Sequence, residues 1–197
     1  MDQTISGEKI IAGLETLVEN ACKAGTNAFG YGIWSHHIKP MIPLALELAE
    51  LYGADREIVT IAVLLHDLAG IEDSRNQKNH HIAGAERAQA ILEEYHYPVE
   101  KIEMVKLCIL NHRGSVPNEK NSKEEICVAD ADAVIHLKEI SSLFYAAYVE
   151  LGMNIEDGQR WIREKIIKDY RKLSAGSREK YKADFEYMIA LLEESGD

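Results

Sequence analysis

"IVTIAVLLHDLAG", residues 58–70, is apolar on every side of a helix until it reaches His66 and Asp67. A helix that is apolar all round predicts a buried, central position in the fold. An ionised carboxylate at the end of such a helix is costly unless it is paired or bound to a metal ion. Taken alone, the pair also fits a histidine near the helix dipole and a capping aspartate. The other helices must therefore decide between these two interpretations.

The rest of the chain predicts an all-α fold, a bundle of about eight or nine helices. Apolar residues recur every three or four positions almost throughout, and no segment alternates with the period of a strand. Proline is rare, with four in the chain. The predicted helices cover 7–22, 36–52, 56–69, 80–96, 98–112, 122–138, 139–151, 155–173 and 176–194.

Length and charge indicate one globular domain over residues 1–197, with the C-terminal helices 139–194 packed against the preceding core. The net charge of −11 argues against nucleic-acid polymers and anionic membranes as partners. No apolar run approaches the roughly 18 residues that span a bilayer. Three cysteines without CxxC spacing argue against a disulfide framework. Together with a polar N-terminus, these features predict a cytoplasmic protein.

Several helices direct a histidine or an aspartate toward the predicted core. His37 shares a stripe with Met41, Leu44 and Leu48, and His112 shares one with Val105 and Ile109. Asp130 lies on a stripe with Ile126, Ala133 and Leu137, while Asp132, beside Val128 and Ile135, is the weaker candidate. Periodicity does not decide between His80 and His81. Each residue alone is more easily explained as a hydrogen-bonded core residue.

Jointly, these residues predict a metal centre with mixed nitrogen and oxygen ligands, because one ion would satisfy all of them at once. Imidazole and carboxylate without thiolate suit divalent iron, manganese, cobalt, nickel or zinc, and the residues do not select one of these metals.

At this point the chain resembles the HD superfamily of metal-dependent phosphohydrolases. The pattern is H…HD…D, here His37, then His66 and Asp67, then the Asp130 of "VADADA". Its context is "WSHHIKPMIPLALELAE", "IVTIAVLLHDLAG" and "VKLCILNHRGS", so the resemblance covers roughly residues 30–137. It implies an HD-type helical bundle.

The resemblance also implies one or two divalent metals. His37, His66, Asp67 and Asp130 would hold the first metal. Some members carry two further histidines and a second metal, and "HHIAG" matches the first of these at His80 rather than His81. Asp67, His80 and His112 would then hold the second metal, with Asp67 bridging the two. The mononuclear form stays open.

The implied activity is hydrolysis of a phosphate ester of a small molecule, a nucleotide being favoured, with His66 and Asp67 at the catalytic centre. Arg113, which directly follows His112, is the favoured phosphate contact because its planar fork suits phosphate. Many relatives carry an arginine three residues after the first histidine, where this chain has Pro40. Lys39 is the predicted replacement for that contact.

Two other functions stay open at this stage. Some relatives use the same ligand set for a di-iron centre that cleaves C–C or C–P bonds with oxygen. A metal-stabilised module that binds a nucleotide or a protein without turnover is the other. The sequence leaves the substrate and the oligomeric state open, including a homodimer through the C-terminal helices. The loop 23–35, which contains Phe29, Tyr31 and Trp34, is predicted either to roof the site or to anchor it.

Overall fold

A computed structural model describes residues 6–113 and 120–192 of the chain, and within them every regular element is helical. The prediction of an all-α fold is confirmed. The α-helices are α1 (Gly7–Lys23), α2 (Lys39–Tyr52), α3 (Arg56–Leu65), α4 (Leu68–Glu72), α5 (His80–Glu94), α6 (Val99–Asn111), α7 (Lys123–Lys138), α8 (Ile140–Tyr145), α9 (Ile155–Lys172), α10 (Ala175–Lys180) and α11 (Lys182–Leu191).

Helix α3 lies at the centre of the fold, as its composition predicts. Every residue from Ile58 to Leu65 is buried. The helix begins at a defined point because the carboxylate of Asp55 accepts hydrogen bonds from the backbone N–H groups of Glu57 and Ile58. Helix α7 is the second central element, and it packs against α2, α3 and α6 on one side and α9 on the other.

The predicted helix 56–69 is interrupted at His66 and Asp67, which corrects the prediction of one continuous helix. Helix α3 ends at Leu65, and Asp67 adopts φ −105° and ψ −3°, outside regular helical geometry. Helix α4 then starts at Leu68. The interruption places the two side chains at a corner between helices, where both can face a common point.

A π-helical turn, Trp34–Ile38, precedes α2 and carries His37. The sequence prediction started a regular helix at residue 36. Pro40 lies in the first turn of α2, directly after the π turn. Pro43 lies inside α2. The wider π turn is typical of functional sites.

The C-terminal helices form a smaller apolar cluster of their own beside the main core. Leu137 of α7, Ile162 and Ile166 of α9 and Met188 of α11 are among its buried members. The predicted helix 176–194 is split at Tyr181, and residues 193–194 lie outside the described part of the chain. Among the described helices, none combines the length and apolarity that crossing a bilayer requires.

Gly84 allows α5 to approach the corner that bears His66. A Cβ added at Gly84 would lie 3.2 Å from the His66 carbonyl oxygen and 3.2 Å from a methyl group of Ile109. Gly84→Val is therefore expected to lower the free energy of unfolding by about 1–3 kcal/mol through overpacking. Urea denaturation followed by circular dichroism measures the change. Gly25→Ala, which meets no atom within 4 Å, is the matched control, and equal stability of the two variants would contradict the prediction.

Candidate metal centre

Six side chains converge at one corner of the core from five different segments. The π turn supplies His37, the break between α3 and α4 supplies two residues, α5 and α7 supply one each, and the last residue follows α6. They are His37, His66, Asp67, His80, His112 and Asp132.

The first group consists of His37, His66, Asp67 and Asp132. The Nε2 atoms of His37 and His66 lie 3.2 Å apart. Asp67 Oδ2 lies 3.4 Å from the His37 Nε2 atom and 3.1 Å from that of His66. Asp132 Oδ1 is 3.5 Å from His37 Nε2 and 3.9 Å from His66 Nε2. His37, His66 and Asp132 place ligand atoms within 4.8 Å of one another, and Asp67 adds an oxygen near both histidines, so this group can hold one divalent ion.

The second group shares Asp67 with the first. Asp67 Oδ1 lies 3.5 Å from His80 Nε2, and His80 Nε2 lies 3.1 Å from His112 Nε2. The two carboxylate oxygens of Asp67 therefore face different groups. Of the two adjacent histidines in "HHIAG", the structure brings His80 to this group. His81 is buried, and its Nδ1 atom has no hydrogen-bond partner among the described residues.

Backbone hydrogen bonds fix the tautomers of three of the four histidines. The Nδ1 atoms of His66, His80 and His112 lie 2.7, 2.9 and 2.5 Å from the carbonyl oxygens of Val63, Gln77 and Ile109. Since a carbonyl only accepts, each Nδ1 carries a proton, which leaves Nε2 as the ring atom that faces the group. Two Nε2 atoms that face each other at 3.1 Å need a cation between them, either a proton or a metal ion. This outer-shell pattern is typical of metal-ligating histidines, so the donor set fits a metal.

The electrostatics of the groups also favour a cation. Burial alone would raise the pKa of the Asp67 carboxyl, but the adjacent His66 outweighs it and holds that pKa well below its usual value. Burial likewise opposes ionisation of Asp132, and the pKa of Asp132 is still lowered by His136 and His37. Burial lowers the pKa of His112 to about 4. Burial opposes ionisation of His66, but Asp67 outweighs it and raises the pKa of His66 to about 9, so a metal ion bound at His66 would displace a proton from that ring.

The structure corrects the prediction for the last aspartate. Asp130 is buried, but its carboxylate accepts hydrogen bonds from Ser174, the N-cap residue of α10, at 3.2 Å from N and 2.5 Å from Oγ. Asp132, the candidate that the stripe argument ranked lower, faces the histidines instead. Because α7 is packed on several sides, an aspartate on it can face either the histidines of the site, as Asp132 does, or the C-terminal helices, as Asp130 does.

A cavity of about 850 Å³ opens beside the two groups. Phe29 and Tyr31 of the predicted roofing loop line it, whereas Trp34 is buried and anchors the loop. Arg113 also lines the cavity, with its guanidinium donating to the carbonyl of Lys78. The structure places Lys39 outside the cavity lining, on the protein surface. Lys39 follows His37 by two positions, so it points about 200° around the helix from that ligand.

Sequence reasoning missed a polar network that lines the cavity beside the first group. His136 stacks on His37, with ring centroids 5.4 Å apart, and its Nδ1 lies 3.0 Å from Asp169 Oδ2 of α9. Lys165, Lys168 and Lys172 of α9 line the same wall. Spacings of three and four residues place these lysines on one face of α9, but the sequence does not show which neighbour that face meets.

Comparisons with known proteins concern the family and the fold of the chain. The family described as HD domain matches residues 34–136. An uncharacterised protein of Clostridium beijerinckii is 32% identical over 83 residues, which is 40% of this chain and 53% of that protein. The match therefore spans about half the length of that curated relative.

Solved structures share the fold. A crystal structure of an HD-superfamily hydrolase from Bacillus thuringiensis is 21% identical, with a TM-score of 0.67 over 95% of both chains. Bacillus subtilis YpgQ, crystallised in complex with ADP, is 18% identical, with a TM-score of 0.69 over 92% of this chain and 93% of YpgQ. At these identities the likeness extends to the fold alone.

Proposed function

This chain belongs to the HD domain family, and we propose that it is a metal-dependent phosphohydrolase that cleaves a phosphate ester of a small molecule. The position of Asp67 carries the proposal. Its two carboxylate oxygens lie 3.4 Å and 3.5 Å from histidine nitrogens of two different groups. An aspartate placed between two such groups is suited to bridge two divalent metals.

We assign the ligands of the two ions by these distances. His37, His66, Asp67 and Asp132 would hold the first ion, and Asp67, His80 and His112 the second. Metals held there would lower the pKa of water and neutralise charge on phosphoryl oxygens. The identity of the metal is open among iron, manganese, cobalt, nickel and zinc, because imidazole and carboxylate bind all of them.

The roles of the protein's own residues follow from their positions. His66 is fully buried and its Nδ1 is bound to the Val63 carbonyl, so its Nε2 is held in a fixed direction. The Asp67 carboxylate stays ionised because His66 lowers its pKa against the effect of burial, so it is available as a ligand. Arg113 lines the cavity next to His112, where its guanidinium can contact a phosphate.

Within the class of phosphate esters, a nucleotide is our proposed substrate. The cavity of about 850 Å³ falls within the roughly 300–1,000 Å³ that small-molecule sites occupy. Phe29 and Tyr31 supply aromatic surface at its wall, on which a base can stack. The structural neighbour YpgQ was crystallised with ADP, which supports a nucleotide as the first choice for a screen.

The proposal predicts that one preparation of the protein contains stoichiometric bound metal and also releases phosphate from a substrate. We expect up to two equivalents of a divalent transition metal per chain by elemental analysis, and phosphate or pyrophosphate release from at least one member of a nucleotide panel. Dialysis against a chelator should abolish the release, and adding back the metal should restore it. Tight nucleotide binding without turnover under any divalent metal would contradict the proposal. Iron with an EPR signal in partly oxidised protein would favour oxygen-dependent chemistry instead.

A further inference from the structure

Three lysines of α9 form one surface, which we call the lysine face: Lys165, Lys168 and Lys172. Their spacing of three and four residues places them on the same side of the helix. All three line the cavity into which His37, Asp67 and Asp132 also project. The lysine face and the metal-type ligands therefore belong to the walls of one cavity.

The lysine face is held in place by a buried carboxylate. Asp169 lies beneath it, with Oδ2 2.5 Å from Lys165 Nζ and Oδ1 3.2 Å from Lys172 Nζ. The same carboxylate lies 3.0 Å from His136 Nδ1. Lys168 is exposed, and its ammonium group has no ion pair or hydrogen bond among the residues that the structure describes. Two of the ammonium groups are thus pre-positioned, while the third remains available to a ligand.

The charge of the lysine face differs from that of the molecule as a whole. The chain carries a net charge of −11, yet three ammonium groups share this wall with one buried carboxylate at their centre. The three ammonium groups carry more positive charge than the single carboxylate of Asp169 neutralises. Glu150 is a further acid on the cavity wall, and no ion pair between it and a lysine is found among the described residues. Surplus cations at the wall of a concave site attract and orient an anionic group.

The lysine face lies one imidazole ring from the first ligand group. Lys165 Nζ is 3.3 Å from His136 Nδ1, and the His136 ring stacks on that of the ligand His37. One ligand molecule could therefore place one group at the lysine face and another at the metal centre.

We propose that the lysine face binds a second, non-reacting phosphate group of the substrate, so that the protein prefers substrates with two or more phosphates over monophosphates. This inference rests on the proposed function, because it assumes that the metal centre holds the reacting phosphate. It assigns a substrate-binding role to α9, outside the residues 34–136 that match the family.

Binding of inorganic pyrophosphate tests the lysine face without any reaction. The full chain is first dialysed against a chelator, since pyrophosphate would otherwise bind the metal in solution, and is then titrated by calorimetry. We expect Lys168→Ala/Lys172→Ala to weaken pyrophosphate binding at least about tenfold, the usual loss for charge-assisted contacts. Lys165 is kept so that Asp169 retains a cation. Lys9→Ala, which removes a charge from the exposed surface of α1, should stay close to wild type.

The second measurement uses the metal-loaded full chain. The ratio of kcat/KM for a nucleoside diphosphate to that for the matching monophosphate should fall at least about tenfold in the double variant and stay at the wild-type value in Lys9→Ala. Wild-type affinity for pyrophosphate in the double variant, or no pyrophosphate binding by the wild-type chain, would overturn the inference even if phosphate esters are hydrolysed. Weakened binding without any hydrolysis by the wild-type chain would instead contradict the proposed function and leave the anion site standing.

Discussion

Asp67→Asn is expected to remove metal from both ligand groups and to reduce phosphate release to the level of chelator-treated protein. Among the residues that the structure describes, Asp67 alone places an oxygen at each group, 3.1 Å from His66 Nε2 and 3.5 Å from His80 Nε2. Asparagine has nearly the same shape but no charge, and it places an amide N–H₂ where one ligand oxygen would be. The loss should exceed the roughly 10–100-fold that follows removal of an outer-shell partner of a metal ligand. Elemental analysis and phosphate release on the same sample measure it.

Two comparisons separate the role of Asp67 from a general loss of structure. Asp73→Asn removes an aspartate that pairs with the exposed Arg75, and it should keep full metal and activity. His80→Ala should lower the metal content by one equivalent while the first group keeps its ion, because His80 lies within 3.5 Å of Asp67 and His112, the other two members of the second group. If Asp67→Asn kept its metal and full turnover, the assignment of the whole site would be wrong.

The sequence predicted most of the fold because burial leaves a clear periodic pattern. From Ile58 to Leu65, helix α3 is almost entirely apolar in the sequence and is buried at every position in the structure. The break at Asp67 was not predictable in the same way. The residues on both sides of it, Leu65 and Leu68, are apolar and helix-forming, so the local sequence does not mark an end. It is the packing of neighbouring helices that favours a corner at this point.

The side chains of the site were predictable to the extent that each belongs to one face of one helix. His37 and His112 were placed correctly toward the core, because a single apolar stripe defines the inward direction. Helix α7 has no single inward direction: residues on several of its sides are buried, so both Asp130 and Asp132 qualify. Sequence periodicity tells which residues are buried and not which neighbour they meet.

The part of the cavity wall that α9 forms could not be predicted from the sequence, for a related reason. In the sequence, the lysine face of α9 resembles an ordinary solvated surface, because lysines at a spacing of three and four residues are common on exposed helices. Only the packing of α9 against α7, which brings His136 to Asp169, places that surface at the cavity. Long-range contacts of this kind have no counterpart in local sequence.

Asp132→Asn and Asp130→Asn form a matched pair that tests the correction at α7. Both residues lie on the same helix and undergo the same chemical change. Asp132→Asn is expected to remove the metal of the first group and most of the activity, because Asp132 Oδ1 lies 3.5 Å from His37 Nε2. Since the side chain of Asp132 is 22% exposed, its loss of charge should change the folded structure little. Metal content and the urea midpoint are measured for each variant.

Asp130→Asn should give the opposite result. Both oxygens of Asp130 accept hydrogen bonds from Ser174, so an amide N–H₂ would face a donor inside the fold. Leaving buried donors without an acceptor costs about 1–3 kcal/mol, and the variant should unfold at a lower urea concentration while keeping its metal. The two variants should therefore differ in which measurement changes: Asp132→Asn lowers the metal content, and Asp130→Asn lowers the urea midpoint. If Asp130→Asn lost the metal and Asp132→Asn kept it, α7 would present its aspartates to the site as the stripe argument first predicted, and the ligand assignment from the structure would be wrong.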